Sequence, residues 1–205
     1  MFQCMVRAGL VNRLSGDVDW CQFWHQARSE DWGASHPVQS WPEESRRKAI
    51  AISLHGDEGT GKRSKSVMIL SWSPLAVHDA AMMSKYPFCV IKSDFFFYKD
   101  GINVTLDKLQ ESLAMSLNRC NLPGDAATDG WSMHLVVHKG DWKFRRDWLH
   151  MDRHHNNADL ICPRCLASAK PNSDRPWLDP CRERFNAAAD IRAAAETRIL
   201  DICFQ

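Results

Sequence analysis

Ala49-Ile50-Ala51-Ile52-Ser53-Leu54-His55, followed at once by Gly56-Asp57-Glu58-Gly59-Thr60-Gly61, is the stretch on which the fold turns. A short, mostly apolar run bounded by turn formers predicts a buried strand, because a helix would need a longer periodic segment. The same kind of run recurs at Ser66–Trp72, closed by Ser73-Pro74, and again at Phe88–Phe97. The period then changes. Leu106, Leu109, Leu113 and Leu117 fall on one face of a helix, with Thr105 as its expected N-cap and Asn121-Leu122-Pro123-Gly124 as its stop. A fourth strand is predicted over Ser132–His138, where Met133, Leu135 and Val137 alternate with His134, Val136 and His138. The turn Lys139-Gly140-Asp141-Trp142 opens a further helix over Lys143–Met151.

Short links between the first three strands imply an antiparallel meander, and the helix can carry a crossover to the fourth. The expected architecture is an α/β layer with helices packed on a mixed sheet, the strands of Ile52 and Val136 lying side by side. Outside this core, residues 1–48 scatter Trp20, Trp24, Trp32 and Trp41 among Gly, Ser, Pro and charges without a period, and read as an irregular Trp-rich lead-in. Residues 49–151 form the core. Residues 152–205 carry Cys162-Pro163-Arg164-Cys165 and then an alanine-rich helix expected from about Arg182 to Ile202.

Composition narrows the function classes. The 26 basic and 25 acidic residues nearly cancel, so net charge points to neither a nucleic-acid nor a membrane-surface binder. No apolar run approaches the roughly 20 residues that span a bilayer. Met1–Leu14 lacks the continuous apolar stretch of a secretory signal. The expectation is a soluble intracellular chain, nuclear or cytoplasmic, without a membrane partner. There, eight cysteines read as thiols and metal ligands rather than a disulfide frame. Most of the nine tryptophans are expected to anchor the core, since an indole buries a large apolar area and needs one hydrogen-bond partner.

Asp57 stands just after the first predicted strand and Asp141 just after the fourth. Two carboxylates held close repel unless a divalent cation bridges them, which is how Mg²⁺ or Mn²⁺ is held for phosphodiester chemistry. Asp is also favoured in turns for local reasons, so ordinary turn residues are the plainer reading. Gly56 to Lys62 has the spacing of a phosphate loop, but Arg63 stands where Ser or Thr should hold Mg²⁺. Asp57 and Glu58 would repel phosphate, and the next segment reads as a strand where a helix N-terminus is required.

Cys162 and Cys165 have the spacing of half a tetrahedral zinc site. His154 and His155 lie shortly upstream, with His150 before them and Cys181 sixteen residues after Cys165. A structural Zn²⁺ on the two thiolates and two of these groups is expected, against the plainer reading of buried or redox-paired cysteines. Lys62, Arg63 and Lys65 follow Asp57, and Lys143, Arg145 and Arg146 follow Asp141. Such clusters are usually solvated faces, yet beside a carboxylate pair they suit a phosphate backbone.

Leu54-His55-Gly56-Asp57-Glu58-Gly59, Ile69-Leu70-Ser71-Trp72-Ser73, Gly140-Asp141-Trp142-Lys143-Phe144, Cys162-Pro163-Arg164-Cys165-Leu166-Ala167 and Trp177-Leu178-Asp179 together resemble a multicopy protein family of dinoflagellate algae. That resemblance covers about residues 50–180 and implies no activity. The layout is also similar, at a distance, to the catalytic core of CACTA-type cut-and-paste transposases. Asp57, Asp141 and Cys162-Pro163-Arg164-Cys165 fall on that family's first aspartate, its Gly-Asp turn and its Cys-Pro-x-Cys element. This second resemblance implies an RNase H-like mixed sheet with flanking helices and a small zinc-binding element. It also implies a two-metal DNA strand transferase or nuclease. Such enzymes need a third acidic residue on a later helix, and Glu183 and Glu196 are the glutamates that follow Cys165. The expectation is a transposase-derived DNA-binding domain with a truncated or inactive core. The rival is a non-catalytic zinc-stabilised module for protein or nucleic acid, and a nucleotide-binding loop ranks below both.

Overall fold

The computed structural model describes residues 1–60, 66–77, 84–151, 168 and 170. The chain divides into two compact units, one made of Met1–Phe96 and Ser112–Asp141, the other of Phe97–Glu111 and Trp142 onward.

The first unit is built on a four-stranded mixed sheet of β1 (Ala49–Thr60), β2 (Ser66–Pro74), β3 (Tyr86–Lys92) and β6 (Ser132–Gly140), ordered β3-β2-β1-β6. β1 pairs antiparallel with β2, β2 antiparallel with β3, and β1 parallel with β6. This is the mixed sheet with flanking helices that the hydrophobic pattern predicts, with the first and fourth strands adjacent.

Two strand ends and one burial pattern differ most from expectation. β1 does not stop at His55 but runs through Gly56-Asp57-Glu58-Gly59 to Thr60, because β2 supplies partners for each: Asp57 faces Ile69, Glu58 faces Met68 and Gly59 faces Val67. β3 ends at Lys92, and Ser93–Phe95 turns into a 3-10 helix before the aromatic run is over. In β6 the alternation does not appear as alternating exposure. Ser132, Met133 and His134 are all buried, so both faces of the strand are covered there.

Residues 1–48 are not irregular. They form α1 (Phe2–Arg7), α2 (Asn12–Ser15), α3 (Trp20–Ala27), α4 (Asp31–Ala34), a 3-10 turn (Pro37–Ser40) and α5 (Glu43–Arg47). α3 begins where the Asp19 carboxylate accepts a hydrogen bond from the Gln22 amide at 3.0 Å, which satisfies an otherwise unpaired helix donor. Its Trp20, Trp24 and Ala27 recur at helical spacing and are buried, while Gln22, His25 and Gln26 are exposed. The Trp20 indole donates to the Ser15 carbonyl at 3.2 Å and the Trp24 indole to the Ala49 carbonyl at 2.7 Å, so each buried ring has its one partner. α4 lies tight against the end of α3, since a Cβ on Gly33 would fall 1.9 Å from the Ala27 carbonyl oxygen. Phe2, Leu14, Trp20, Trp24 and Val38 from this segment meet Ala49–Ile52, Trp72 and Met133 in one core.

The second unit holds a hairpin of β4 (Tyr98–Lys99) and β5 (Ile102–Asn103), turned by Asp100 and Gly101, both at positive φ. An Asp-Gly pair is favoured there because both positions must adopt a left-handed backbone. It also contains the first turns of α6 (Val104–Asn118) and all of α7 (Trp142–Trp148). Thr105 is not the N-cap of α6. Asn103 accepts from the Leu106 amide at 3.2 Å, while the Thr105 hydroxyl accepts from the Phe97 amide at 2.9 Å. α7 starts one residue before the predicted position and ends at Trp148 instead of Met151, with Phe144 and Trp148 as its buried face.

Candidate functional site

Parallel pairing of β1 with β6 sets His55 opposite Lys139 and Gly56 opposite Gly140. Asp57 and Asp141 are the next residues of each strand path, and so stand at the same end of adjacent strands. Asp141 directly follows β6, as expected, whereas Asp57 sits inside β1 rather than in a turn after it. Both aspartates are exposed.

His55, half-buried two residues before Asp57, registers the local field. Burial first, then Lys85 and Lys139, hold its imidazole below the ordinary value, while Asp57 and Asp141 push it back up. Two carboxylates and two ammonium groups therefore act on one imidazole at the ends of these strands. His55, Lys85 and Lys139 are absent from the sequence-level site. For His55 and Lys139 a signal exists: each precedes an aspartate by two residues, which on a strand is the same face.

Glu58 belongs to a separate arrangement. Its carboxylate accepts hydrogen bonds from Ser66 and, at 2.8 Å, from Ser93, tying β1 to β2 and to the turn after β3. As the strand neighbour of Asp57 it alternates to the opposite face. Among the described residues, no three or more His, Cys, Asp or Glu side chains converge as a metal site.

The phosphate-loop spacing acquires no phosphate-loop geometry. Gly56 to Thr60 is paired strand, and the next described element is strand β2. Of the basic clusters, Lys62, Arg63 and Lys65 lie outside the described residues. On α7, Arg146 is paired with Asp147 at 2.7 Å and the Arg145 guanidinium lies 6.0 Å from the Trp142 ring centre. Lys143 is exposed. Cys162, Cys165, His154, His155 and Cys181 also lie outside the described residues. His150 is described, and its Nε2 is 2.8 Å from the Asp107 carboxylate within the second unit.

No helix among the described residues is long and apolar enough to cross a membrane. Comparison with known families, curated proteins and solved structures finds no match for this chain.

Proposed function

We propose that this chain is a transposase-derived nucleic-acid-binding domain of RNase H-like design whose two-metal phosphodiester-transfer core is incomplete. The observation that carries the reading is topological. A three-strand meander, then a helix, then a strand parallel to the first brings Asp57 and Asp141 to one end of β1 and β6 from positions 84 residues apart. Asp57 and Asp141 would hold Mg²⁺ or Mn²⁺, which activates water or a 3′-hydroxyl and stabilises a leaving oxygen. Two carboxylates leave most of the cation's shell to water, so positioning of the reacting oxygens is poor. Lys139 and Lys85 lower the field that draws a cation to the pair and favour a phosphate there instead.

Zinc belongs to the same reading, with Cys162 and Cys165 as thiolate ligands and two of His150, His154, His155 and Cys181 as the remaining ones. The Asp107–His150 hydrogen bond supports this, because histidines that bind metal usually pass their other ring nitrogen to a carboxylate. Metal analysis of the purified chain is expected to find about one zinc, lost on C162S/C165S. A metal-free wild type overturns the zinc assignment.

The functional test pairs DNA binding with strand cleavage in Mn²⁺, on the wild type, Asp57→Asn and Asp141→Asn. Weak binding that falls steeply with salt, and little or no cleavage, is expected. Robust cleavage abolished by either substitution would restore a working nuclease. No binding at low salt would remove nucleic acid from the reading.

A further inference from the structure

His36 and His134 meet where the N-terminal helical segment rests on the sheet, and neither has a part in the site above. Their ring centres are 5.5 Å apart, edge to face. Trp24 stacks on His36 at 4.6 Å, and Trp41 stands edge-on to His134 at 4.9 Å. His134 Nε2 is 2.9 Å from the Ser132 hydroxyl, and His36 Nδ1 accepts from the Val38 amide at 3.3 Å. The latter bond requires His36 Nδ1 to be unprotonated. His36 and three of these neighbours (Trp24, Val38 and Trp41) come from residues 24–41, while His134 and Ser132 come from β6.

We propose that this aromatic box is an acid-release joint: protonation of His36 and His134 uncouples residues 1–47 from the sheet and exposes the core face of β1. Charge is costly in the box for two reasons. A protonated imidazole there gives up water for indole and aliphatic groups, and a second would lie about 5.5 Å from the first. Burial holds His36 down at about 4; burial, then the nearby His36, holds His134 down at about 3. Among the described residues, the charged groups of the surrounding elements are directed elsewhere. His25, Glu30 and Asp31 are exposed, Arg28 is bonded to Gln39, Arg47 to Glu43, and Lys48 to Asp129. Arg46, half-buried on α5, carries positive charge and so cannot favour protonation of either ring.

The direction follows from proton counting. Both rings are neutral when the box is closed and become ordinary imidazoles, near 6.5, once released. The released form therefore binds more protons below about pH 6.5, and closure is lost as pH falls. Between pH 7 and pH 5 the two rings together raise the release constant roughly 500-fold, about 20-fold to 25-fold from each.

The test is urea-dependent release of the full chain at pH 7 and pH 5, followed by tryptophan emission, to which Trp20, Trp24, Trp32 and Trp41 of the released segment contribute among the nine tryptophans, and by amide hydrogen exchange of β2 and β3, which reports the sheet. The expected result is a red shift at lower urea at pH 5, ahead of loss of the sheet signal. His36→Phe and His134→Phe, which keep an aromatic ring, should each cut the pH effect about 20-fold. Tryptophan and sheet signals lost together, or an undiminished pH effect in both variants, overturns the proposal. A readout needing no variant is nuclear magnetic resonance titration of the wild-type rings. With the resonances assigned, His36 and His134 both still neutral at pH 5 support it, and either of these two rings titrating near 6.5 overturns it.

Discussion

The two halves of the β1–β6 pair share one backbone ladder and have opposite characters. At the start, Ala49, Ile50, Ala51 and Ile52 are at most 1 % exposed, and Ser132, Met133 and His134 are buried beside them. At the end, Asp57, Gly59, Lys139 and Asp141 are all exposed. The first half is covered by tryptophans from the N-terminal helices; the second presents acid, base and glycine to water. Stability is concentrated where both faces are sealed, which leaves the open end able to carry charge that a sealed core would not tolerate.

Substitutions can break this contrast, and the largest effect is expected at Trp24. Trp24→Ala removes a fully buried indole and its hydrogen bond to Ala49, and should cost about 4 kcal/mol in a urea unfolding experiment. A loss no greater than that of an exposed residue would erase the distinction between the two halves.

Acid comes next. His36, His134 and His138 are held by burial near 4, 3 and 4, and His55 is also held below its ordinary value. All four are bases with lowered native values, so each stabilises fully above about pH 6.5 and loses that contribution as pH falls through the window beneath it. Unfolding midpoints measured from pH 7 to pH 4.5 should drop steadily, most steeply below 6.

Glu58→Gln addresses the boundary between the halves. It weakens charge-assisted bonds from Ser66 and Ser93 and should cost about 1 kcal/mol, with β1 still extended past His55. Smallest of all, Asp57→Asn should change stability by no more than about 0.5 kcal/mol, because an exposed carboxylate at the open end is not part of the core. A large stability loss there would make Asp57 a structural residue and remove it from the site.

Several features of this chain were written in its local sequence. The apolar run Ala49–Leu54, the leucine period from Leu106 to Leu117 and the Gly140-Asp141 turn each depend on hydrophobic spacing or turn chemistry within a dozen residues, and each stands near where the pattern puts it. Other features required partners distant in the chain. Gly56-Asp57-Glu58-Gly59 has the composition of a turn, yet Val67, Met68, Ile69 and Leu70 offer it a ladder of backbone hydrogen bonds, and pairing overrides weak propensity. No period runs through the first 48 residues because their helices are four to eight residues long, so that even the helical spacing of Trp20, Trp24 and Ala27 covers only two turns, and all are too short to stand alone in water. What holds them is Trp20 and Trp24 entering a core whose other wall begins at Ala49. Likewise the capping role falls to Asn103 and not Thr105, because the Phe97 amide engages the threonine hydroxyl. Local sequence thus determined the four strands of the main sheet, the longest helix and which residues carry charge, but not the helices of residues 1–48. Tertiary structure alone decided how far β1 extends, what the tryptophans cover, and that His36 and His134 share one box, since each depends on burial and pairing between residues far apart in the chain.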